Sequence, residues 1–182
     1  IITTTERSCG HAALAIRNAN LLARVQQMAV TDGLTQLANR RAFDRSLDKE
    51  LNRAARTDGR LSVVLLDIDH FKLLNDNHGH VVGDTVLKQI AAALQDCGRE
   101  YDTIARYGGE EFAAVLPGCA SGLALQVAER LRLAVQDAAS DVQVTASAGV
   151  ATYPYDGIDV AGLLNAADQA LYASKRSGRN TV

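Results

Sequence analysis

An α/β fold, more narrowly α+β with a mostly antiparallel central sheet and surrounding helices, is what the sequence predicts, on three observations. The run "LSVVLLDID" from Leu61 is short, apolar, rich in β-branched residues and ends abruptly in acid, as a buried central strand does where it emerges from the core. "TIARY" and "EFAAVLP" are two strand-like runs separated by Gly108-Gly109, and a two-residue Gly-Gly loop between such runs signals a β-hairpin. The order after the first helix is strand, helices, hairpin, helix, strand, helix, which suits an antiparallel sheet with helices packed on it better than a doubly wound parallel sheet.

Residues 11 to 28 carry His11, Leu14, Asn18, Leu21, Val25 and Met28 at alternating spacings of three and four. This stripe fits either a helix packed on its own domain or a parallel dimerising, signal-relaying helix with Asn18 as its register residue. Turn signals at Thr31-Asp32-Gly33 and Asp58-Gly59 bracket a helix from about Asn39 to Arg56. The organisation is therefore a linker or signalling helix over 1–30 and a domain over 31–182.

After the Leu61 strand, a short polar helix is expected from Phe71 to Asn77, then a glycine-rich turn, "HGHVVGD". A helix with Leu87, Ile90, Ala91 and Leu94 on its apolar face follows, for which Asp84 is a suitable N-cap. A helix from about Ser121 to Gln136 presents Leu123, Val127, Leu131 and Val135, and a strand starts from Val142. The last helix, roughly Asp159 to Lys175, presents Leu164, Ala167 and Leu171, with Gly178 as its stop.

Composition narrows the function. The 182 residues are 47% hydrophobic with a formal net charge of -2, and the basic residues are scattered, which argues against a duplex nucleic-acid or anionic-membrane binder and leaves a nucleotide-sized partner open. No run reaches the length of a membrane span and no signal peptide is evident, so a cytoplasmic location is expected. Cys9, Cys97 and Cys119 lack metal-ligand or disulfide spacing. Because the first residue is Ile1, the chain reads as a fragment of something longer.

The chemistry-bearing pattern is acidic. Asp67 and Asp69 close one strand, and Glu110 and Glu111 follow the glycines at the head of another. If the hairpin lies beside the first strand, three or four carboxylates converge. Such a cluster needs a cation, and hard oxygen ligands suit magnesium bridging substrate phosphates. The bland alternative is a simple turn with acids blunting exposed strand ends. Strand alternation lets only one of Glu110 and Glu111 face a given site unless the turn distorts the strand. Lys175 and Arg179, around Gly178, either complement a helix dipole or hold phosphate oxygens.

Four motifs in order, "DGLTQLANRR" at Asp32, "DIDHFKLLNDNHGHVVGD" at Asp67, "RYGGEEF" at Arg106 and "ADQALYASKRSGRN" at Ala167, together resemble the GGDEF-domain diguanylate cyclases. The resemblance implies a fold like nucleotidyl cyclases and polymerase palm domains. It also implies condensation of two GTP to cyclic di-GMP and two pyrophosphates by a homodimer with one GTP per subunit. By the same resemblance, Asp67, the Ile68 carbonyl and Glu110 would bind Mg2+, or Mn2+ in its place. Asn75 and Asp84 would read guanine, with His80 near the nucleotide. Lys72, Lys175 and Arg179 would hold phosphates, while Gly108 and Gly109 leave room for the nucleotide. Glu110 and Glu111 are the candidates for deprotonating the 3′-hydroxyl. Arg99 and Asp102 match the family's RxxD, which with Arg130 would bind product and inhibit turnover; the alternative for the pair is an exposed salt bridge. The upstream stretch "SCGHAALAIRNANLLARVQQMA", from Ser8 to Ala29, resembles the last helix of a GAF-type sensory domain. A catalytically silent receptor for GTP or cyclic di-GMP is the competing function.

Overall fold

The sheet is organised on one eight-residue strand, Leu61–Ile68, in which every residue is buried. The computed structural model describes residues 30–138 and 142–182; the heptad-like stripe and the GAF-like segment lie outside them. In chain order the elements are β1 (Ala38–Asn39), α1 (Arg40–Thr57), β2 (Leu61–Ile68), α2 (Phe71–His78), α3 (His80–Cys97), β3 (Thr103–Arg106), β4 (Glu111–Pro117), α4 (Ser121–Ala138), β5 (Ala146–Tyr153) and α5 (Val160–Arg176). The strands form one sheet in the order β1-β3-β4-β2-β5. Only the two-residue β1 pairs in parallel, with β3; β2 runs antiparallel to both β4 and β5.

Period-two alternation divides the core between the sheet's two faces. Val64, Leu66 and Ile68 of β2 join Phe112, Ala114 and Leu116 of β4 under α2, α3 and α4, where Phe71, Leu87, Ile90, Leu94, Val127 and Leu131 fill the space. Leu61, Val63 and Leu65 face the other way with Ala113 and Val115, against Phe43 and Leu47 of α1 and Leu163, Ala167 and Leu171 of α5. A strand covered by helices on both faces carries no polar face, which is why β2 is apolar from Val63 to Leu66, with the buried Ser62 Oγ donating to the Cys119 carbonyl at 2.8 Å.

Several local expectations are corrected. Helix α3 starts at His80 with Gly79 as its N-cap and no side-chain cap bond, so Asp84 lies inside the helix, exposed, and caps nothing. The glycine-rich stretch bends only at Gly79, whose φ of 81° a side chain would resist. The β3–β4 turn is longer than two residues: Tyr107 N–H donates to the Glu111 carbonyl at 2.8 Å, enclosing Gly108, Gly109 and Glu110. Strand β5 begins at Ala146 rather than Val142 because its partner β2 ends at Ile68, which pairs with Ala146. On α4 the buried face holds Ala124 and Arg132, while Leu123 is 38% exposed. On α5 Leu163 is fully buried along with the expected Ala167, while Leu164 is only partly buried.

Two predictions separate these faces. Leu163→Ala should lower unfolding free energy by about 2–5 kcal/mol by leaving a cavity under the sheet, whereas Leu123→Ala should cost less than about 1 kcal/mol. Urea denaturation of both variants checks the assignment, and equal losses would contradict it.

Candidate functional site

Sheet register brings the acids together. β2 and β4 are aligned so that Asp67 lies opposite Glu111, and directly opposed residues of antiparallel strands project to the same face. One step beyond the ladder, Ile68 N–H donates to the Glu110 carbonyl at 3.2 Å. Three acidic side chains therefore share the exit of two adjacent strands. The Lys175 ammonium, near the end of α5, lies 2.9 Å from Asp67 Oδ2. Glu110 shows the strain of this crowding: burial, then the charges of Asp67 and Glu111, raise its pKa, and Lys175 only partly opposes them. A carboxylate pushed up in this way is one that a cation would relieve.

Asp69, expected beside Asp67, is directed elsewhere. Its carboxylate accepts from Thr145 Oγ1 and Ser147 Oγ, both at 2.7 Å, and from the Asn180 N–H at 3.1 Å. Four carboxylates do not converge, and among the described residues no group of three or more His, Cys, Asp or Glu side chains is placed to hold a metal ion. Asp67, Glu110 and the Ile68 carbonyl supply fewer ligands than a calcium cage and suit a magnesium ion that keeps waters and takes substrate oxygens.

Within the turn, the glycines act through space rather than through left-handed backbone, since neither has a positive φ. A Cβ at Gly108 would collide with the Glu111 carboxylate, which folds over it, whereas a Cβ at Gly109 would meet nothing within 4 Å. The open side of the turn is thus at Gly109.

What braces this turn was missed in the sequence. Arg106 donates to the Gly109 carbonyl from Nη2 at 2.7 Å and from Nε at 3.1 Å, and Nη1 pairs with Asp32 Oδ1 at 3.1 Å. Asp32 also accepts from Thr35 N and Oγ1. Burial alone would raise the Asp32 pKa, but the Thr35 bonds and Arg106 outweigh it and the net shift is downward. Both residues stood inside quoted motifs; the available signal was an arginine two residues before the glycines.

A second group of expected residues lies on the α2–α3 pair. Lys72 and His80 are exposed at the starts of their helices, and Asp84 is exposed one turn into α3. Asn75 faces Gly83, where a Cβ would collide with its amide. Its Oδ1 is buried with no hydrogen-bond partner, an arrangement that persists where a ligand or water supplies the missing bond.

The third group sits at the far end of β3. Arg99 N–H donates to Asp102 Oδ2 at 2.9 Å and Asp102 N–H to the Arg99 carbonyl at 3.0 Å. The RxxD is therefore a reciprocal turn instead of a side-chain salt bridge, and its exposed Arg99 makes no ion pair with Asp102. Arg130 Nη2 donates to the Cys97 carbonyl at 2.8 Å, which anchors it beside the same turn. No helix among the described residues is long and apolar enough to cross a membrane.

The fold is that of a known class. The family model described as Diguanylate cyclase, GGDEF domain, matches residues 29–181, and the chain belongs to this family. Diguanylate cyclase A of Treponema denticola is 39% identical over 179 residues, covering 94% of this chain and 47% of that protein. Diguanylate cyclase VdcA of Vibrio cholerae is 42% identical over 169 residues, covering 88% and 48%. The chain thus spans about half the length of these curated relatives. Among solved structures, the coiled coil and GGDEF domain of DgcB from Caulobacter crescentus in complex with c-di-GMP matches with a TM-score of 0.78. That match has 36% identity and covers 98% of this chain and 97% of that one.

The electrostatics of Glu110 give a stability prediction of defined sign. A raised pKa means that ionised Glu110 opposes folding, an effect absent below the ordinary carboxylate range and complete above the raised value. At neutral pH without divalent metal, Glu110→Gln should raise the melting temperature; a fall in EDTA would contradict the repulsion described here.

Proposed function

We propose that this domain is a diguanylate cyclase, condensing two GTP into cyclic di-GMP with release of two pyrophosphates. The observation that carries the reading is the register of β2 against β4, which gathers Asp67, Glu110 and Glu111 with Lys175 beside a turn open at Gly109. Asp67, Glu110 and the Ile68 carbonyl would hold Mg2+, or Mn2+ in its place. The metal, when bound, neutralises phosphate charge and lowers the pKa of the attacking hydroxyl.

The chain's own groups do the rest. Lys72, Lys175 and Arg179 grip phosphate oxygens, and Lys175 exchanges its bond with Asp67 for one with substrate. Asn75, with its unpaired buried Oδ1, and Asp84, free of any capping duty, read the guanine edge beside His80. A guanine N–H is the kind of donor that Oδ1 lacks. Glu110 and Glu111 are the two carboxylates that can take the proton of the 3′-hydroxyl. Its oxygen then bonds to the α-phosphorus of the other GTP as the bond to pyrophosphate breaks, and the reciprocal step closes the ring. One domain supplies one such set of groups, so the two nucleotides meet only when two domains face each other, and dimerisation is part of the mechanism. The domain at 31–182 would then be controlled by the 1–30 linker and an upstream sensory domain in the cytoplasm.

Product inhibition is proposed at Arg99, Asp102 and Arg130. With Asp102 held by backbone, the Arg99 guanidinium is available to a phosphate. Strand β3 joins this turn to the glycine turn directly, so bound product can act on the active turn through a few residues of rigid strand.

Purified protein incubated with GTP and Mg2+ over a range of concentrations should yield cyclic di-GMP faster than linearly with protein. Glu110→Gln should reduce turnover on the order of 100-fold or more while the domain stays folded. GTP bound but unconverted at high protein concentration would favour the receptor reading. Arg99→Ala should weaken product binding and relieve inhibition; unchanged inhibition would remove that site.

A further inference from the structure

Two buried charges have no part in the proposed chemistry: Asp69, 6% exposed, and Arg132, 8% exposed. Buried ionic groups are retained where something fixes their geometry, and here both converge on one residue of the C-terminal segment. Arg132 on α4 is held by Glu129 in a two-pronged pair at 2.7 and 2.8 Å and by Gln136 Oε1 at 3.2 Å, and its Nη1 donates to Asn180 Oδ1. From the other side, the Asn180 N–H donates to Asp69 Oδ2 at 3.1 Å, and Thr145 and Ser147 fix that carboxylate.

The residue gripped in this way follows Arg179. Arg179 and Asn180 both occupy left-handed backbone, with φ of 64° and 49°. Asparagine tolerates that region, whereas an arginine persists there only where its surroundings enforce it. Enforcement continues on either side: Arg179 N–H donates to the Ser174 carbonyl at 3.1 Å, and Ala148 N–H donates to the Thr181 carbonyl at 2.9 Å. Ser174 Oγ in turn donates to the Ala148 carbonyl at 2.9 Å. The clamped turn is thus tied to β5 and to the end of β2, two residues past Asp67. Yet Arg179 itself is exposed and makes no ion pair among the described residues.

We propose that Asp69, Asn180 and Arg132 are positioning residues that hold Arg179 in a strained turn so that its guanidinium is presented to the polyphosphate of GTP. This rests on the reading of Arg179 as a phosphate ligand. A segment that only packed on the domain would need no buried charge from two separate elements to fix it, because the last residues of a domain are ordinarily loose unless tied down. An arginine fixed in advance loses less freedom on binding, which favours the ligand with the longer phosphate chain.

The test uses Asn180→Gly, which keeps the backbone N–H, accepts a left-handed φ and deletes only the acceptor of Arg132. Affinity is measured by calorimetry for 3′-deoxy-GTP, which lacks the nucleophile and cannot react, and for GMP. Asn180→Gly should weaken 3′-deoxy-GTP about fivefold while GMP affinity moves by less than about twofold. Added to Arg179→Ala, it should produce little further loss, because the two act as one unit. Four results would overturn the inference: unchanged 3′-deoxy-GTP affinity in Asn180→Gly, equal loss for GMP, full additivity with Arg179→Ala, or an Arg179→Ala variant that binds as the parent does. A parent protein that binds 3′-deoxy-GTP but makes no cyclic di-GMP sinks the cyclase reading and leaves this test standing; one that does not bind it overturns both.

Discussion

Asp67 and Glu111 face each other across a backbone ladder whose apolar residues enter both layers of the core, and much else in the molecule follows from that pairing. Seven consecutive residue pairs join β2 to β4, and a slip of one residue would turn Val63, Leu65 and their partners from one helical layer to the other. The apolar register is therefore strongly fixed, and the acidic residues at its end are placed by the same constraint. Like charges crowd there because moving them apart would require repacking both faces of the sheet. Glu110 registers this crowding in its raised pKa, and Lys175 supplies only partial compensation from α5.

Around that cluster the fold arranges supports of different kinds. Arg106 ties the glycine turn back to Asp32 at the beginning of the domain, so the turn is braced from outside the hairpin. The position is physically economical: a turn that must expose backbone to a ligand has few side chains with which to hold itself, and a guanidinium fork can fix a carbonyl and a carboxylate together. Asp69 and Arg132 do the corresponding job at the C-terminal end, where Asn180 is held between α4 and the end of β2.

The same economy appears in the RxxD turn. Asp102 uses its carboxylate on the Arg99 backbone, and Arg130 uses its guanidinium on the end of α3. Charged side chains with local structural duties leave Arg99 outside the network, with β3 running directly from this turn to Arg106 and the glycines. Both ends of one four-residue strand thus carry candidate ligand groups.

The sequence by itself determined the fold class, the central strand at Leu61, the hairpin, the main helices and the acid-glycine site, because these depend on local periodicity and on motifs read within one segment. Its errors were of the kind that long-range contacts decide. β1 has only two residues and exists because β3 is beside it; β5 begins opposite the end of β2; Asp84 does not cap a helix that starts earlier, at His80. Asp67 and Asp69 were expected to close one strand together, but Asp69 lies past the last ladder residue, where Thr145, Ser147 and Asn180 capture it. Likewise, nothing local marks Arg132 as buried or joins Arg106 to Asp32, 74 residues away. Which carboxylates meet, and which charges serve as braces, was decided by tertiary structure, because strand register and helix packing bring together groups whose sequence separation hides their partnership.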